Sequence, residues 1–207
     1  MHHLNNRGIA GRCLAATLLA GVLAMGHPPS TLQAGAAATT AVQDWPQYLH
    51  DITRGGYTTD NAVTAANART LRVRPRFPVN LGGKIISTQP VVANGFVYSG
   101  SWDGNEYAIN PTGAVTWKTA LGSTNPNDAS CGGTEGVAST PAFATLTLMA
   151  DPRPSNVLFL GAGGNDIAGG GQARVDALDA TTGRIRWSVP VGPAPATYMW
   201  SSPVVYT

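Results

Sequence analysis

Between residues 90 and 117 the chain alternates short apolar runs with turn-forming residues. Pro90-Val-Val-Ala93 is apolar throughout, the pattern of a strand buried on both faces. Asn94-Gly95 follows, a dipeptide suited to a two-residue hairpin because both positions tolerate positive φ. Phe96-Val-Tyr-Ser-Gly100 predicts a second strand, Asp103-Gly104 a second turn and Glu106-Tyr-Ala-Ile109 a third strand. Asn110-Pro-Thr-Gly113 is a further turn and Ala114-Val-Thr-Trp117 a fourth strand. The expected unit is four short antiparallel strands joined by tight turns.

The pattern recurs. An aromatic followed five residues later by Gly occurs at Phe77-Pro-Val-Asn-Leu-Gly82, Trp117-Lys-Thr-Ala-Leu-Gly122 and Trp187-Ser-Val-Pro-Val-Gly192. A second series aligns on proline: Ser87-Thr-Gln-Pro90-Val-Val, Ala138-Ser-Thr-Pro141-Ala-Phe and Trp200-Ser-Ser-Pro203-Val-Val. The two series alternate in order along the chain. A repeat of about 40 residues and four strands describes a propeller blade. The second unit is longer: 46 positions separate Pro141 from Trp187, against 27 from Pro90 to Trp117. The added residues are expected as lengthened turns, at Ala150-Asp-Pro-Arg-Pro154 and in the Gly-rich stretch from Gly161 to Gly171.

Composition narrows the classes. Charged residues make up 12% of the 207 positions, half the usual ~25%, while Gly (25) and Pro (15) are in surplus. With 43% apolar residues and a net charge of +2, the chain does not read as disordered or as a basic nucleic-acid binder. Two Lys and two Glu are too few for a long helical bundle, and two Cys too few for a disulfide framework.

Residues 1–38 read as a leader and linker. Arg7 and Arg12 precede an apolar run at 13–25, and small-residue cleavage options follow around Ala34 or Ala38. The run is too short to span a bilayer. Removing the leader leaves 11 basic and 11 acidic residues, one His (His50) and one Cys (Cys131). The prediction is a secreted or periplasmic protein of the cell envelope, with no membrane span and no nucleic-acid partner. Neither a Cys-x-x-Cys-His haem motif nor a zinc-binding spacing occurs.

Ala177-Leu-Asp179-Ala-Thr-Thr182-Gly183-Arg-Ile-Arg-Trp187 resembles the tryptophan-docking motif Ala-x-Asp-x-x-Thr-Gly-x-x-x-Trp of the quinoprotein (PQQ-type) β-propeller repeat at every fixed position. An earlier copy, Ala108-Ile-Asn110-Pro-Thr112-Gly113-Ala-Val-Thr-Trp117, is one residue shorter and carries Asn for Asp. The first copy keeps only Phe77, in the Trp place, and residues 44–57 resemble the usual lead-in to such propellers. The resemblance covers residues 44–207 and implies an all-β chain of four-stranded blades with each indole between neighbouring blades. Trp187→Ala is expected to destabilise the chain more than any surface change. The expected organisation is an entry segment and outer strand at 39–83, a blade at 84–122, a blade with insertions at 123–192 and the start of another at 193–207. Since such propellers close with at least four blades, the chain is expected to be the N-terminal portion of a propeller.

Catalytic chemistry is less legible. Asn165, Asp166 and Asp176 offer oxygen ligands of the kind calcium takes, but without EF-hand spacing they are expected as solvated loop residues. Arg72, Arg74 and Arg76 alternate as on one face of an exposed strand. His50 is expected at a surface turn. The resemblance implies two functions. One is a non-catalytic binding or assembly scaffold with a protein partner. The other is a PQQ-dependent alcohol dehydrogenase, similar to the polyvinyl-alcohol class, using PQQ and calcium on a small-molecule alcohol. Glu135 as a calcium ligand and Asp103 as a base are the candidates under the second, and neither sits in an assigning motif. The adjacent Cys pair of those dehydrogenases is absent, and the catalytic residues of the second reading are expected mostly outside this chain.

Overall fold

The computed structural model describes residues 43–85, 87–123, 135–148, 151–163, 172–192 and 199–206. The leader, Cys131, Asn165 and Asp166 lie outside the described residues. The described residues form two open, four-stranded antiparallel sheets. The first sheet contains β1 (Val91–Ala93), β2 (Phe96–Gly100), β3 (Asn105–Ile109) and β4 (Val115–Ala120); the second contains β5 (Ala142–Leu148), β6 (Asp151–Ala162), β7 (Arg174–Asp179) and β8 (Ile185–Pro190). Each is a meander in chain order. No helix among the described residues is long and apolar enough to cross a membrane.

Turn chemistry places the strands. Asn94 and Gly95 have φ of 50° and 78°, so both central residues of the β1–β2 hairpin are left-handed, as a type I′ turn requires. In the β3–β4 turn, Asn110 Oδ1 accepts from Thr112 N–H, Thr112 Oγ1–H and Ala114 N–H. The β7–β8 turn uses the same device. Asp179 Oδ1 accepts from Thr181 N–H, Thr182 N–H and Thr182 Oγ1–H. Gly113 and Gly183 close these turns at φ of 82° and 74°.

The sheets also share one register. In the first, Val91 faces Tyr98, Tyr98 faces Ala108 and Ala108 faces Trp117. In the second, the row is Ala142, Phe159, Ala177 and Trp187. Both rows are followed by the same bulge, which leaves Thr116 in β4 and Arg186 in β8 as the extra residue. The central alanines are fully buried because aromatic rings meet across them. Tyr98 and Trp117 have centroids 6.0 Å apart, and Phe159 and Trp187 5.8 Å.

Two local expectations change. Residues 151–154 are not a lengthened turn; β6 begins at Asp151, so here the β5–β6 hairpin continues as strand, while residue 150 lies outside the described residues. Residues 72–76 form no strand: they are exposed, and Arg76 has a φ of 72°.

Candidate functional site

The most elaborated region is the layer where the two sheets meet. Its apolar body comprises Val91, Tyr98, Ala108 and Leu121 from the first sheet and its β4 exit, against Leu158, Leu160 and Leu178 of the second. Val137, on the approach to β5, fills the space above Gly100; a Cβ there would lie 2.5 Å from Val137 Cγ1. The polar groups at the edge are matched. Trp117 Nε1–H donates to Ala180 O (3.1 Å), Tyr98 O–H donates to the same oxygen (3.3 Å) and Thr119 Oγ1–H donates to Gly183 O (2.6 Å). Burial above all, then the Asp179 and Asp44 charges, push the Tyr98 phenol up to about 12, so it remains a donor.

The docking residues occupy these places. Ala108, Asn110, Thr112 and Gly113 form the end of β3 and its turn; Ala177, Asp179, Thr182 and Gly183 form the end of β7 and its turn. The Trp117 ring covers the second turn: a Cβ on Gly183 would lie 2.6 Å from Trp117 Cε3. Phe77 takes the corresponding position one unit earlier, where a Cβ on Gly113 would lie 3.1 Å from Phe77 Cε2. Each aromatic therefore covers the Thr-Gly turn of the following unit. Trp187 is different: it is 42% exposed and meets Phe159 within its own sheet. Of the two motif indoles, it is Trp117 that has the intersheet contacts.

A ladder of small polar side chains links the segments that lead into β1 and β5 to residues 201–202. Gln89 N–H donates to Thr140 Oγ1, and Thr140 N–H donates to Ser202 Oγ. Thr88 Oγ1–H donates to Ser139 O, and Ser139 Oγ–H to Ser201 O. The entry segment crosses the same strands. Trp45 exchanges two backbone hydrogen bonds with Val92, Pro46 O accepts from Phe143 N–H, and Gln47 Oε1 accepts from Val205 N–H. β1, β5 and the segment at Val205 are thus held by one short stretch, a role that the composition of residues 44–47 did not announce.

Two acidic side chains lie in the intersheet layer. Asp176 is fully buried on β7 and takes Arg174 Nε–H on both carboxylate oxygens. It is a strand residue with a fixed partner rather than a solvated loop residue. Glu106, on β3 between Gly100 and Thr119, is also fully buried, and its oxygens have no hydrogen-bond partner in the structure. Burial alone pushes this carboxyl well above the ordinary value, so the neutral acid is favoured. The equivalent position of the second sheet, opposite Gly161, is Val175.

Asp103 and Glu135 flank a close backbone approach, since a Cβ on Gly136 would lie 2.4 Å from Gly104 N. Asp103 is engaged within its turn, its two oxygens accepting from Asn105 N–H and Tyr107 O–H. Glu135 is buried. His50 sits in a turn with φ of 82°, its ring edge-on to Trp45. Among the described residues no group of three His, Cys, Asp or Glu side chains is arranged to hold a metal ion, so no calcium-dependent step is derived. Beside the entry segment a cleft of about 530 Å³ opens between residues 43–45, residues 58–60 and β1.

No protein-family model and no curated protein matches the chain.

Proposed function

We propose that the chain is an exported PQQ-type β-propeller repeat protein whose two sheets are consecutive blades, and that it serves the cell envelope as a binding or assembly scaffold. The observation that carries this reading is the repetition of one docking contact, Phe77 over Gly113 and Trp117 over Gly183. The matched rows, bulges and polar ladder support the same repeat. The side chains of the motif act in packing and turn formation. The second sheet presents Trp187 and Val189, paired with Ala177 and Val175 on one face, at 42% and 50% exposure, an apolar surface of the kind that receives another protein element.

The test separates scaffold from enzyme. The purified chain, supplied with PQQ and Ca²⁺, is assayed with a dye-linked alcohol oxidation. The scaffold reading expects no dye reduction above the protein-free control. Reduction that requires both PQQ and an alcohol overturns it in favour of a dehydrogenase. Export is tested separately: N-terminal sequencing of the protein from envelope and medium fractions is expected to begin after the leader.

A further inference from the structure

The cleft beside the entry segment has a lining that the repeat does not explain. Its lining combines the apolar Trp45, Pro90 and Val92 with the polar Gln43, Asp44, Thr58, Asp60 and Gln89. A volume of about 530 Å³ falls within the range of small-molecule sites. Four of the polar heads are held by one oxygen each. Gln43 Oε1 accepts from Thr58 Oγ1–H and Gln89 Oε1 from Leu49 N–H. Asp44 Oδ1 accepts from Asn94 N–H and Asp60 Oδ1 from Ala62 N–H. What remains is complementary: the two amide NH₂ groups are donors, and the second oxygens of the two aspartates are acceptors.

We infer that this cleft binds a small neutral carbohydrate. A sugar ring offers hydroxyls that both donate and accept, along the rim of a largely apolar C–H face. The hydroxyls meet the carboxylates in charge-assisted hydrogen bonds and accept from the amides. The C–H face lies against the Trp45 indole, which combines a broad apolar surface with a polar edge. Other ligand classes fit less of the lining. An amine satisfies the carboxylates but gives the two amides nothing to donate to. An anion meets two carboxylates, and among the described residues no Lys or Arg lines the cleft. The inference uses only residues of the cleft and does not depend on the scaffold reading.

The experiment is calorimetric titration of the full chain with cellobiose and maltose, with putrescine and inorganic phosphate as comparators. The expected result is millimolar binding of at least one disaccharide and none of either comparator. Trp45→Ala and Asp60→Ala are each expected to weaken that binding about fivefold or more. Trp45 joins β1 through backbone groups, and circular dichroism checks that the variant folds; Asp60 is exposed, so its variant reads the site without burdening the fold. Absence of disaccharide binding, binding of putrescine or phosphate at comparable affinity, or unchanged affinity in folded Asp60→Ala overturns the inference.

Discussion

The Trp117 indole spans the gap between the two sheets: its N–H reaches the Ala180 carbonyl at 3.1 Å, and its six-membered ring lies over Gly183. This contact joins residues 63 positions apart, in separate sheets. Trp117→Ala removes both the ring and the hydrogen bond and is expected to destabilise the chain by about 3–5 kcal/mol. Trp117→Phe retains most of the packing and is expected to cost about 1–2 kcal/mol, chiefly for the lost hydrogen bond. Trp187→Ala, at a ring 42% exposed, is expected to cost less than Trp117→Ala. Urea unfolding followed by far-ultraviolet circular dichroism checks the order. Equal losses for the two Trp→Ala variants contradict it.

Gly183 tests the same contact from the opposite side. A side chain here meets two obstacles, a φ of 74° and the Trp117 ring. The left-handed backbone alone costs an L-residue about 1–2 kcal/mol, and displacement of the indole adds about 1–3 kcal/mol. Gly95 is the natural control. It has a φ of 78°, but the nearest atom to an added Cβ is at 3.8 Å. Gly95→Ala is therefore expected to show the backbone cost and Gly183→Ala the sum. Matching melting temperatures for the two variants would mean that the close approach of Trp117 contributes nothing.

Local chemistry accounts for what the sequence revealed. Asn94-Gly95, Asn110 with Gly113 and Asp179 with Gly183 act within a few residues of themselves, so their hairpins were readable. The apolar run after Pro90 became β1 for the same reason. Properties that depend on distant partners were not readable. Which indole is docked depends on which sheet lies against it, and both Trp117 and Trp187 carry the local motif. The burial of Glu106 depends on its place in the layer between two sheets. Asp176 looked loop-like beside a Gly-rich stretch, yet lies on β7 with Arg174 beside it. Two prolines at 152 and 154 suggested a turn, but β6 is long enough to continue through them. The cleft joins residues 43–45 to 58–60 and 89–92, a proximity created by the bridge between Trp45 and Val92 together with the Thr58–Gln43, Asn94–Asp44 and Leu49–Gln89 hydrogen bonds.

Glu106 makes stability depend on pH. Its folded-state carboxyl is raised by burial, while in the unfolded chain it titrates near the ordinary value of about 4.3. Between those values the folded state holds a proton that the unfolded state has released. The stabilisation is thus fully present below the unfolded value and is lost as pH rises through the folded one, by up to about 1.4 kcal/mol per pH unit. The other charged groups on the layer are the paired Arg174 and Asp176, with Glu135 buried two residues before Val137. Glu106→Gln keeps the shape and cannot ionise. It is expected to match the parent within about 1 kcal/mol at pH 4 and to exceed it by about 1–3 kcal/mol at pH 8. Urea unfolding across that range checks this; parallel stability curves for the two proteins contradict it.

Asp179 carries the opposite sign. Burial raises its carboxyl, but the Arg186 side chain and the hydrogen bonds from Thr182 outweigh that effect and leave it below the ordinary carboxylate value. The folded chain then releases this proton more readily than the unfolded chain. The resulting stabilisation is present above the unfolded value and is lost as pH falls through the lower folded one. Asn110 shows that a neutral amide supports the same turn, accepting from Thr112 and Ala114. Asp179→Asn should therefore keep the β7–β8 turn and the cover of Trp117 while losing the Arg186 ion pair. The expected result is a small loss at pH 7, below about 1 kcal/mol because the pair is partly solvated. The variant should also show a shallower decline of stability between about pH 5 and pH 2. A loss at pH 7 as large as that of Trp117→Ala would mean that the charge, rather than the acceptor geometry shared with Asn110, holds the turn.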